Sequence, residues 1–155
     1  MASGKGNTNA AGLLQAVYQA VFTDLSSLLA NAASPLTTLY ISLHTANPGP
    51  SGNQSTNEAT YNGGSGYARV AVSRSTSGWV LSGESISNVN AITFPQCIGG
   101  SGELETYVGV GTAASGPGIL LWFGETVGAL AGEPLLVGNG VIPNIATGQL
   151  IITES

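Results

Sequence analysis

The stretch Thr37–Thr45, TTLYISLHT, alternates Leu39, Ile41 and Leu43 with Tyr40, Ser42 and His44, the two-residue period of a half-buried strand. The chain beyond it keeps the same language. Tyr67–Arg74 sets Ala68, Val70 and Val72 on one face, and Thr106–Thr112 alternates Val108 and Val110 with Tyr107, Gly109 and Gly111. Trp79–Leu81, Ser85–Val89 and Ala91–Phe94 are short runs parted by Gly, Asn and Ser, and Pro95 closes the third. The turn ASGPG at 114–118 leads into Ile119–Phe123, and Leu135–Val137 and Leu150–Thr153 complete the set. About eight or nine short strands with turn signals every 8–12 residues predict a mainly β fold, an antiparallel β-sandwich or jelly-roll-like barrel. The β-domain is expected over 35–155.

Upstream the period changes. Residues 1–9 are small and polar and read as a flexible arm. From Ala10 to Ala30 the apolar residues recur at helical spacing, with Leu13, Val17, Val21, Leu25 and Leu28 in one row and Leu14, Tyr18, Phe22, Leu25 and Leu29 in the next. Asn9 suits the N-cap, and Ser34-Pro35 ends the segment because a residue before proline avoids the helical region. One N-terminal amphipathic helix over 10–34 is therefore expected. Its wet face (Gln15, Gln19, Thr23, Ser26, Ser27) is uncharged. A stripe this wide is more than a small β-domain needs, so Leu13, Leu14, Val17, Tyr18, Val21, Phe22 and Leu25 are candidate interface residues. Residues 46–66, rich in Gly, Asn and Ser, exceed the usual loop length and predict a functional excursion or a mobile surface loop.

Charge is the second informative feature. Lys and Arg number three, Asp and Glu eight, and together they make up 7% of the chain, where about 25% is usual. Interface cores are depleted in charge, so such a composition points to a component of an assembly; a secreted Ser/Thr-rich β-domain with a neutral surface is the alternative. Three cations cannot neutralise the ~6–10 phosphates of a typical DNA contact, and no basic run is present for an anionic membrane. No apolar run reaches the ~20 residues of a membrane span. The one cysteine, Cys97, excludes an intrachain disulfide and a multi-cysteine zinc site. MASGKGNTNA lacks the layout of a secretory signal.

Candidate chemistry is sparse. His44 is the only histidine and Asp24 the only aspartate, and no G-x-S-x-G elbow accompanies them. Cys97 could form a thiol dyad with His44 but reads better as a buried, inert thiol. Glu103 and Glu105 stand two apart without the alternating oxygen ligands of a calcium loop, and Glu58 and Glu84 are isolated. The glycine-rich stretches at 63–66, 99–102 and 138–140 lack phosphate-binding spacing. Asn53-Gln54-Ser55 matches a glycosylation sequon of low specificity. Arg69 and Arg74 stand out: an arginine within an apolar strand needs a fixed partner, such as a glutamate or backbone carbonyls, within the subunit or across an interface. Arg69 joins the interface candidates. No catalytic residue, metal ligand or cofactor is assigned.

The order of segments is informative as a whole. LYISLHTANPG (39–49), Asn57-Glu58-Ala59, GYARVAV (66–72), Trp79, NVNAITFP (88–95), YVGVGTAASGPGILLW (107–122) and LIITE (150–154) follow one another over roughly 36–154. This arrangement resembles a family of small virion proteins of tailed bacteriophages, labelled tail-fibre or head-decoration proteins. The resemblance implies a non-enzymatic structural protein of the virion, assembled in the host cytoplasm. A short, non-repetitive chain suits a capsid cement or decoration protein, a dimer or trimer contacting the major capsid protein or another virion protein. Tail-fibre or receptor- and glycan-binding roles are the alternative. A glycan module would use exposed aromatics, with Trp79 the better platform and Trp122, within an apolar run, expected in the core. A lysin-like hydrolase is disfavoured by the lone His and Asp.

Overall fold

The alternating runs become strands. In the computed structural model, which describes residues 13–19, 36–64, 66–126 and 134–153, eleven strands occur: β1 (Thr38–His44), β2 (Val70–Ser73), β3 (Trp79–Ser82), β4 (Ser85–Asn88), β5 (Ile92–Thr93), β6 (Glu103–Glu105), β7 (Tyr107–Gly111), β8 (Leu120–Glu125), β9 (Leu135–Val137), β10 (Asn144–Ile145) and β11 (Ile151–Thr153). The fold is mainly β with antiparallel ladders, the class that the alternation predicts. β6 and β10 were not anticipated. They are too short to show a period, and β6 reads Glu-Leu-Glu, a pattern that puts acids on its inner side.

Two compact units divide the described residues. One comprises those up to Thr38, Ser73–Ile92 and those from Ile145 on; the other comprises Leu39–Val72 and Thr93–Asn144. The second is built on the sheet β2-β1-β7-β8. β1 and β7 run antiparallel with Ile41 opposite Val110 and Leu43 opposite Val108. These four and Leu39 are buried, each contributing about 1.5–3 kcal/mol by leaving water. An aromatic cluster extends this core: the Tyr61 and Tyr67 rings meet edge to face at 5.4 Å, and Tyr67 stacks on Phe94 at 6.4 Å. The Leu43 amide donates to Tyr67 Oη at 2.9 Å, which fixes the cluster to the central strand. The ribbon β6-β9 pairs Leu104 with Leu136.

The first unit holds the sheet β11-β4-β3. Trp79, Ile86 and Ile152 are sealed on its inner side, while Val80 and Ile151 point outward. Asn88 is buried with every polar atom used: Nδ2 donates to the carbonyls of Asn90 and Ala146, and Oδ1 accepts from the Leu150 amide. Trp79 is thus no stacking platform. Its face of β3 packs inward, and the Tyr18 ring lies against it at 4.9 Å, edge-on. Trp122 is the tryptophan left half-buried, because β8 ends its sheet.

Of the expected helix, Leu13–Gln19 falls among the described residues; 10–12 and 20–34, with Val21, Phe22 and Leu25, lie outside them. The described part is not a regular α-helix, since Gln15–Gln19 is π-helical. With i→i+5 geometry, Gln19 aligns with Leu14 rather than with the wet face. Gln19 is accordingly buried, and its Nε2 donates to the Trp79 carbonyl at 2.8 Å. Arg74 holds the segment by donating to the carbonyls of Val17 (2.5 Å), Ala16 (2.6 Å) and Leu36 (3.0 Å). Leu14 and Tyr18 are buried, while Leu13 and Val17 are half-buried.

Candidate functional site

The polar residues of β1 share one face of the strand, and the structure builds a sealed polar layer on it. Opposite Tyr40, Ser42 and His44 across the ladder stand Gly111, Gly109 and Tyr107. The glycines are required by space. A Cβ on Gly109 would meet His44 Nε2 at 2.7 Å and Ser42 Oγ at 2.8 Å, and one on Gly111 would collide with the Gln54 side chain. The Val–Gly alternation of β7 therefore serves two layers, its valines filling the apolar core and its glycines admitting side chains from elsewhere.

Gln54 comes from the long 46–66 segment, which is packed against the sheet rather than loose. The Gln54 side chain is fully buried; Nε2 donates to the Tyr40 carbonyl and Oε1 accepts from the Ala113 amide at 2.8 Å. Asn53 Oδ1 accepts from the Ser55 amide and Thr56 Oγ1 from the Asn53 amide, so the sequon residues form a tight turn. Thr45 donates to Asn57 O, Ala59 donates to Leu43 O, and the backbone at Glu58 pairs antiparallel with that at His44.

Arg69 locks this segment. Its Nε and Nη2 donate to Glu58 Oε1 and Oε2 at 2.6 and 2.7 Å, a two-pronged ion pair. Nη1 donates to Ala113 O at 2.8 Å and Nη2 to Gly116 O at 2.7 Å. Arg69 is 8% exposed, so the required partners are supplied within its own unit. The guanidinium ties the long segment to the 113–116 turn.

His44 Nδ1 donates to the Thr56 carbonyl at 2.9 Å, leaving Nε2 to accept from Ser42 Oγ at 2.8 Å. Burial lowers its pKa below the ordinary 6.5, against a raising contribution from the Thr56 carbonyl. A serine paired with a neutral imidazole is a nucleophile arrangement in outline, but both residues are 0% exposed. Here the pair orients the loop. Cys97 is sealed as well, its Sγ near the Gly99 carbonyl at 3.4 Å, the buried thiol its setting suggested.

Glu105 is the residue that sequence reasoning missed. It is fully buried, and neither carboxylate oxygen finds a hydrogen-bond partner among the described residues. Burial, and then the neighbouring Glu103, push its pKa up to about 8, so it carries a proton at neutral pH. Glu103 is satisfied by the Thr60 amide and hydroxyl at 2.7 and 2.6 Å. No group of three or more His, Cys, Asp or Glu converges among the described residues as a metal site would. No helix there is long and apolar enough to cross a membrane.

Of the interface candidates among the described residues, Leu14 and Tyr18 are buried in local packing, Leu13 and Val17 are half-buried, and Arg69 is held by its internal clamp; Val21, Phe22 and Leu25 lie outside them. The outer surface is instead marked by aliphatic residues that sequence periodicity did not single out: Ile98, Ile119, Leu136 and Ile151 are each more than half exposed. No curated protein matches the chain. The model of one protein family, described as podophage GP4 fiber I protein gp80, matches residues 15–153. That span takes in both units, the glycine-spaced polar layer and the exposed aliphatic surface, and the chain belongs to this family of tailed-phage virion proteins.

Proposed function

We propose that the protein is a non-enzymatic building block of a podophage fibre, working through protein–protein contacts with itself and a neighbouring virion protein. The observation that carries this is the family match over residues 15–153. Two features of the chain support it. His44 and Ser42 of the polar layer, and Cys97 apart from it, are each sealed and used in packing. The charged residues that would keep a free monomer dispersed are scarce, and the two described arginines are committed internally.

A capsid cement position is the second reading, favoured by the short, non-repetitive strands, which do not suit an elongated shaft. Immunogold labelling and cryo-electron microscopy of whole particles separate the two. Density and gold on fibres support the first, and a regular array on the shell supports the second. In either place the contact is expected to resist NaCl and yield to urea, because apolar burial is not screened as ion pairs are. Release at moderate salt would count against both.

A further inference from the structure

We infer that Tyr107, Phe123 and Glu125 form a binding site for a cationic side chain of a neighbouring virion protein. On the β7–β8 ladder Tyr107 stands opposite Glu125 and Gly109 opposite Phe123, so the three side chains share one face of the sheet. The ladder is regular here, its bulge falling beyond Val110. The Tyr107 and Phe123 rings lie 6.4 Å apart, inclined to each other at 51°. Both are half-buried, and Glu125 is exposed. Tyr107 Oη donates to Glu125 Oε1 at 3.1 Å and accepts from Asn47 Nδ2 at 3.3 Å, while Asn47 Oδ1 accepts from the Gly49 amide at 2.8 Å. The tyrosine hydroxyl and the Asn47 amide are thus engaged with each other and with the strand. What the site still offers a ligand is the open part of two aromatic rings and the second carboxylate oxygen.

Electrostatics chooses the occupant. The faces of aromatic rings are negative and attract a cation within about 6 Å of the centroid, and the adjacent carboxylate adds to that attraction. An apolar side chain seated there would cover the Glu125 charge without pairing it, which costs free energy, and an anion would be repelled. The cation does not come from this fold. The chain has three: Arg69 and Arg74 are held by internal hydrogen bonds, and Lys5 lies outside the described residues. The same scarcity, with a net charge of −5 on every copy, disfavours a second copy and selects a different polypeptide that carries exposed lysine or arginine. That this polypeptide is a virion protein rests on the function proposed above; the chemistry of the site does not. One charged contact within an otherwise apolar surface adds only a shallow salt dependence, so the contact as a whole still resists NaCl.

The test uses the full-length chain in solution and then whole particles. Nα-acetyl-lysine methylamide and Nα-acetyl-arginine methylamide, titrated at low salt, should shift the NMR ring resonances of Tyr107 and Phe123, and the neutral Nα-acetyl-norleucine methylamide should not. Glu125→Gln and Phe123→Leu should each weaken binding of the cations at least threefold. Glu84→Gln, which removes a carboxylate from the turn between β3 and β4, should leave it unchanged, and all three variants should keep the native thermal unfolding. In particles, the photo-reactive p-benzoylphenylalanine in place of Phe123 should cross-link to a different polypeptide, at a peptide containing lysine or arginine. Ring shifts as large with the norleucine compound, equal weakening by Glu84→Gln, or a cross-link to another copy of this chain would each overturn the inference. Particles that lack the native protein altogether would overturn the virion reading instead, a result distinct from these three.

Discussion

Trp79 and Trp122 both sit on strands that end their sheets, and they meet opposite fates. Beside β3 lies a covering element: the helical segment places the Tyr18 ring against the Trp79 indole at 4.9 Å and sends the Gln19 amide to the Trp79 carbonyl. Trp79 is 0% exposed. Beside β8 nothing equivalent lies among the described residues, and Trp122 stays half-buried over Gly124 of its own strand. The difference teaches that hydrophobicity along a strand does not decide burial. What decides it is whether the chain carries a second element to cover the edge.

The largest expected effect breaks the comparison directly. Trp79→Ala should cost about 3–5 kcal/mol in urea unfolding, the range for emptying a closed aromatic site. Trp122→Ala should cost the dilute monomer about 1 kcal/mol or less, its ring being already part-way in water. Equal losses would mean that the two sites are equally closed. The next effect probes a closed site of another kind. Arg69→Ala leaves the Glu58 carboxylate and two carbonyls without their donor, and about 3 kcal/mol is expected, at the low end for breaking a buried pair because Glu58 keeps some solvent access. Arg69→Met with Glu58→Leu should recover much of that loss. No recovery would show that the arginine acts through its carbonyl contacts to Ala113 and Gly116 alone.

The comparison also explains how much was legible in the sequence. The strands of the four-stranded sheet could be read because Leu39, Ile41, Leu43, Val108 and Val110 keep a strict period of two, and the core is indeed where that period places it. The polar layer was half legible: the Val–Gly alternation at 107–111 was visible, but the side chains filling the glycine gaps come from Ser42 and His44 at Gly109 and from Gln54 at Gly111, 57 residues away in sequence, and no local pattern joins them. Exposure of Trp122 was misread because an apolar run looks the same whether or not a neighbour covers it. The helix was read with α spacing, whereas Arg74, 57 and 58 residues from the carbonyls it holds, meets a segment that folds with a wider turn. The burial of Glu105 was invisible for the reverse reason, since a carboxylate two residues from another gives no sign of being sealed.

A smaller effect sharpens the account of the polar layer. Gly111→Ala puts a methyl group where the Gln54 side chain lies, and overpacking of this kind costs about 1–3 kcal/mol. Combining it with Gln54→Ala should be less damaging than the sum of the two, because both changes act on one space. Strict additivity in urea midpoints would show that the glycine is needed for backbone reasons instead.

The last effect is the dependence of stability on pH, in which two buried groups pull in opposite directions. The His44 pKa is lowered in the folded state, so its contribution is present above the ordinary value of 6.5 and is lost as pH falls from there through the folded value. Glu105 behaves in reverse. Its pKa rises from 4.5 to about 8 on folding, so its contribution is complete below pH 4.5 and drains away as pH climbs towards 8, because the unfolded chain ionises freely while the folded one holds the proton. Below pH 6.5 the two oppose each other, and above it only the Glu105 loss remains, so stability should fall from pH 6.5 towards 8. Glu105→Gln, which mimics the protonated acid, should match the native protein near pH 4.5 and exceed it at pH 8.5. His44→Gln removes the opposing contribution, so its stability should already decline with rising pH below 6.5, while the decline above 6.5 stays as it was. Urea midpoints of the three proteins from pH 4.5 to 9 test this. A Glu105→Gln curve parallel to the native one across the whole range would mean that the carboxyl is solvated in the folded protein, and that the β6 face is as open as the edge of β8.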